Sequence, residues 1–190
     1  MCPMEAYWQP ILLSAVSCFV ASSLIWMALP FIHKHEYKKL GDKEGAVMDA
    51  FRSWGLGGGM FVFPMMDPKE CKTPEGKAKM ANGPWGIMML REKPWSMGST
   101  MFLWFVNLLL ISTCVAYVAH HAGLAGKDYL KVFQVVGAVA FLAYGGNSIT
   151  NCLWRGHPWA TLPGAVFDAL VYACLTGGTF GWLLTRVHAG

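Results

Sequence analysis

Four stretches of this chain are each about as long as a bilayer is thick and nearly free of charge, and that fixes the solvent before it fixes the fold. A membrane-spanning helix needs roughly 20 apolar residues. The runs Pro10–Ile32, Met97–Ala119, Val132–Trp154 and Pro163–Leu184 approach that length. Amphipathic rings, which prefer the headgroup region, flank them: Tyr7, Trp8, Trp95, Tyr129, Trp154 and Trp159. Only 14% of the residues are charged, against about a quarter in soluble domains. The expectation is an all-α membrane protein, a single membrane domain over residues 1–190 with four transmembrane helices. Short connections make the last three helices antiparallel neighbours.

The leader "MCPMEAYWQP" has no Lys or Arg, whereas a signal peptide opens on positive charge. The first run is therefore expected to be a retained helix, although "AVSC" loosely resembles a lipoprotein cleavage box. Eleven of the 15 Lys and Arg, and eight of the 11 Asp and Glu, lie between Lys34 and Lys93. That stretch is a solvated segment between greasy ends, and no basic tract or module for nucleic acid is present. Lys34, Lys38, Lys39, Arg91, Lys93 and Arg155 lie close to helix ends on one side, and Lys127, Lys131 and Arg186 on the other. Positive charge favours the cytoplasmic face. The long loop, residues 33–96, is thus expected inside and both termini outside, in a bacterial inner membrane.

That loop has the signals of a small mixed cap. "KEGAVMDAFRSWGL" places Val47, Met48, Phe51 and Trp54 on one helical face, an amphipathic helix over residues 44–56 that lies on the membrane or packs across the bundle. Thr73 followed by Pro74 and Glu75 reads as a helix start, and Gly83 as its stop. "GMFVFPMM" and "GIMMLRE" read as strands. The glycines of "GLGGGMFVFP" are not a phosphate loop, since no Lys-Ser/Thr pair follows.

Asp168 is the one acid within the four runs. A carboxylate there finds a partner in the bundle, and the sequence offers Asn147, Asn151 and Arg155 as a polar cluster near the cytoplasmic interface. Polar glue between the last two helices is the plainer role, and a proton or ion relay the sharper one. Small residues recur in steps of four: Ala173, Gly177 and Gly181 in the last run, Ser14, Cys18 and Ser22 in the first. Such faces let helices approach closely, within the chain or across subunits. Met1, Cys2, Met4, His120, His121 and His188 gather on the outer side by topology, and His33, His35, Cys71, Cys152 and His157 on the inner side. Cys2, His120, His121 and His188 are the candidate ligands for a soft ion such as copper, and His120 or His121 for haem or chlorophyll, but no known ligand spacing is present. The six cysteines form no disulfide framework or CxxC motif.

"SSLIWMALPFIHKHEYKKLGDKE", "GMFVFPMM", "ANGPWGIMML" and "FDALVYACLTGGTFGWLL" resemble a family of bacterial integral membrane proteins of about this length that has no established activity. In that family a proline after the first helix is followed by basic and aromatic residues, which Pro30 and the run from His33 to Lys39 match. The resemblance implies four helices and a bacterial inner-membrane home, and transfers no catalytic residue.

No nucleophile set has a defensible spacing. The expectation is a non-catalytic accessory or scaffold subunit of a larger bacterial complex, respiratory or photosynthetic, in contact with lipid and other membrane subunits and with no resident cofactor. One alternative is a small transporter or channel with a path along Asn107, Gln134, Asn147 and Asp168. The other is a metal- or redox-cofactor-binding membrane protein.

Overall fold

The structure, a computed structural model, describes residues 7–34 and 36–186. Four of its helices are long and apolar enough to cross a membrane, which is the architecture of an all-α multi-pass membrane protein. The chain divides into two compact units, a bundle (residues 1–37, 96–153 and 157–190) and a cap (38–95 and 154–156).

The bundle begins with α1 (Trp8–Ala28), which stops short of the run expected to Ile32. Pro30 has no N–H to continue the ladder and disfavours helical geometry at the residue before it. Leu29 accordingly leaves the helix, with φ −120° and ψ 50°. A single turn, α2 (Pro30–His33), follows. The second span is α5 (Met97–His121), whose Ser96 side chain accepts from the Ser99 N–H. The third is α6 (Tyr129–Gly145) and α7 (Ser148–Trp154), interrupted where Gly145 and Gly146 withdraw side chains from the helix. The fourth is α8 (Leu162–Leu184), with Pro163 in its first turn, where the missing N–H costs nothing. α1 packs on α5 and α8, and α6 on α5 and α8, so the spans close a ring in chain order.

The seam between α6 and α8 explains the small residues. A Cβ on Gly177 would lie 3.1 Å from the Phe133 carbonyl oxygen and 3.3 Å from Gly137 Cα. One on Gly181 would meet the Tyr129 ring at 2.8 Å, and one on Gly145 the Ala169 methyl at 2.8 Å. Backbones this close gain dispersion that lipid cannot supply. The face of α1 is also turned inward. Ser14 meets the Ser112 hydroxyl at 3.0 Å, the Cys18 thiol lies 3.5 Å from Thr176 Oγ1, and Ser22 accepts from Trp104 Nε1 at 2.9 Å. These polar contacts tie α1 to both its neighbours. Around them the interior is filled by two apolar clusters, one about Val115, Phe180 and Leu184, the other about Leu108, Ile25 and Tyr172.

The cap contains α3 (Glu44–Ser53), β1 (Gly59–Phe63), α4 (Pro74–Asn82) and β2 (Gly86–Leu90). α3 is shorter than the expected 44–56; Trp54 caps it and Gly55 turns the chain with φ +63°. Thr73 caps α4 by accepting from the Gly76 N–H at 3.0 Å, and Gly83 ends it with φ +58°. β1 and β2 pair antiparallel, Gly59 opposite Leu90 and Phe63 opposite Gly86. Among the described residues of this unit only Gly76 is buried.

Candidate functional site

Two features of the bundle hold polar groups where hydrocarbon makes them costly. The first is built on the Pro30 break. By ending α1 and starting a new turn, it brings His33 back over the start of α8, where Gly164 leaves room: a Cβ there would stand 3.1 Å from His33 Nδ1. His33 is buried, with only 7% of its surface exposed. Its Nδ1 meets Glu36 Oε1 at 2.5 Å, and its Nε2 lies 3.3 Å from Asp168 Oδ1. The Asp168 contact is within ion-pair reach but not aligned as a hydrogen bond, and neither atom has another partner among the described residues. Trp26 covers the imidazole face, stacked at 4.0 Å with the rings 9° apart.

A neutral imidazole has one N–H and one lone pair, so an Nδ1–H can donate to Glu36 while Nε2 faces Asp168 within ion-pair reach. The arrangement bolts the end of the first span to the start of the fourth.

Asp168 therefore pairs with His33 rather than with the cluster expected from the sequence. Asn147 and Asn151 do meet, but each other, through an exposed hydrogen bond of 3.2 Å. Arg155 belongs to the cap and makes no ion pair among the described residues. His33 and Glu36 were missed as partners of Asp168 because they lie outside the apolar runs. The available signal was topological: in an up-down bundle the end of the first span and the start of the last share one side.

The second feature is on α5. Leu103, Asn107, Leu110, Cys114 and Tyr117 are all exposed, and their spacing alternates four and three along one outward face. Asn107 is ten residues into the helix, about 15 Å from its start, and so near the middle of a hydrocarbon core about 30 Å thick. Its amide makes no hydrogen bond with a described side chain or backbone group. Gln134 on α6 and Asn147 are exposed as well, so these amides do not line an interior path with Asp168.

Of the candidate metal ligands, Cys2, Met1, Met4 and His188 lie outside the described residues, as does His35. His120 meets Tyr7 edge-on with ring centres 5.6 Å apart, and His121 Nδ1 lies 2.9 Å from the Tyr117 carbonyl oxygen. Among the described residues no three His, Cys, Asp or Glu side chains gather in a metal-holding group. Cys71 is exposed in the cap, while Cys152 is buried beside the Pro158 carbonyl.

Fold and site together define a multi-pass helical membrane protein with a bolted interior and an outward polar residue in mid-span. No protein-family model, curated protein or solved structure matches the chain. The resemblance to a bacterial membrane family gains no support from these comparisons, and the functional reading rests on geometry.

Proposed function

We propose that this protein is a non-catalytic accessory subunit of a larger bacterial membrane complex, held there by a partner helix seated on the outward face of α5. The observation that carries this is Asn107. A short amide cannot reach the headgroups from the bilayer centre, and an unpaired one facing lipid is costly. Its neighbours at four-three spacing offer the apolar seam a second helix packs into, with Asn107 as the interhelical hydrogen bond that sets the register.

The inner polar cluster supports the same reading. His33, Glu36 and Asp168 join two elements of one bundle, and below them Phe180 and Leu184 close the interior. A transporter needs polar groups converging on one path, and Asn107, Gln134 and Asn147 point away from it. The excess of Lys and Arg beside the cap favours a cytoplasmic cap and external termini in the inner membrane.

The experiment is gentle detergent extraction from native membranes, followed by native gel and mass spectrometry. Wild type should migrate with partner subunits. Asn107→Leu should weaken that association by about 1 kcal/mol, roughly fivefold, with unchanged thermal stability of the isolated protein. A wild-type chain that runs alone, or an Asn107→Cys variant that reacts with water-soluble thiol reagents as if it lined a pore, would refute the proposal.

A further inference from the structure

The surface of the cap is both basic and apolar. It has eleven Lys and Arg against seven Asp and Glu, a net charge of +4. Its large apolar side chains are uncovered: Trp54, Trp85 and Trp154 are 65%, 64% and 83% exposed. The β1–β2 ribbon is apolar on both faces, and β1 is largely exposed. Exposed apolar surface on this scale marks an interaction site, and tryptophan interleaved with Lys and Arg is the composition of the membrane–water interface.

One groove within the cap has the chemistry of an amphiphile site. It has a volume of about 290 Å³ and is lined by Met48, Phe51, Leu56 and Leu90, with Arg52 and Arg91. Arg91 stacks on the Trp95 ring at 3.8 Å, a packing that leaves the in-plane N–H donors of the guanidinium free. Trp95 is two residues before α5. An aromatic ring that flanks a span favours the headgroup region. Arg52 pairs with Asp49 in an exposed contact, which is weak and readily exchanged for a phosphate.

We infer that the cap is a lipid-binding element: an anionic phospholipid of the adjoining leaflet places its phosphate between Arg52 and Arg91 and its acyl chains along Met48, Phe51, Leu56 and Leu90. The apolar lining selects a phospholipid over a free anion. The basic charge selects an anionic leaflet over a neutral one.

The test uses the full chain in nanodiscs of phosphatidylcholine alone or mixed with phosphatidylglycerol, read by amide hydrogen exchange. Phosphatidylglycerol should slow exchange in α3 and at the end of β2. Arg52→Gln and Arg91→Gln should each remove about fivefold of that slowing, the equivalent of ~1 kcal/mol per basic residue. Wild-type exchange over α3, α4 and the β1–β2 pair in phosphatidylcholine alone shows that these variants remain folded. Equal protection in both lipid mixtures overturns the inference. So does protection that inorganic phosphate restores in phosphatidylcholine, which marks a simple anion site, or protection that requires a co-purifying protein.

Discussion

The bundle and the cap differ in what they do with apolar side chains. The bundle turns its smallest residues inward and buries helix against helix, although its outer faces are apolar too. In hydrocarbon there is no gain in merely hiding a leucine, so close approach and interhelical hydrogen bonds hold the spans together. The cap has two helices and a ribbon, yet buries one glycine and leaves its tryptophans and most of its methionines outside. In water that composition would collapse. The cap has local order without a core, its elements fixed by a threonine cap, a strand pairing and glycine turns. One chain thus contains two ways of being specified, by packing in one region and by local chemistry plus an external surface in the other.

Adding volume at the seam between α6 and α8 should have the largest effect. Gly177→Leu drives a side chain against the Phe133 carbonyl, backbone that cannot yield, and should cost about 3 kcal/mol. Thermal unfolding in detergent measures it, and an unchanged midpoint would mean that α6 and α8 do not meet as described. Removing the bolt has a smaller effect. Asp168→Ala strips His33 Nε2 of its neighbour and should cost about 2 kcal/mol in the same assay, while a neutral result would make the 3.3 Å contact energetically empty. The smallest change has the opposite sign. Gly45 lies in α3 with nothing within 4 Å of a Cβ, so Gly45→Ala should stabilise that helix by about 0.5–1 kcal/mol. Hydrogen exchange over α3 would show slower opening, and faster opening would show that the position is crowded in the native membrane.

Much of the local structure was legible in the residues. Thr73, Pro74 and Gly83 mark a helix start and stop because capping is a matter of a few bonds between near neighbours. The four spans follow from length and polarity. Their ends were less legible: Pro30 ends α1 early, and Gly145–Gly146 interrupts the third span, since continuous hydropathy overrides the breaker in a simple count. Asn147 and Asn151, four apart on one run, meet as helical spacing allows. The partner of Asp168 was not found, because His33 lies 135 positions away and only the closing of the bundle sets it there.

By itself the sequence determined the solvent, the number of crossings and the local caps and turns, since each depends on composition or on contacts a few residues apart. Only the tertiary structure decided which small-residue faces are spent inside the chain, that Asp168 answers to His33, and that Asn107 is left pointing outward. Helical periodicity tells which residues share a face. Which way that face turns depends on the packing of every other helix.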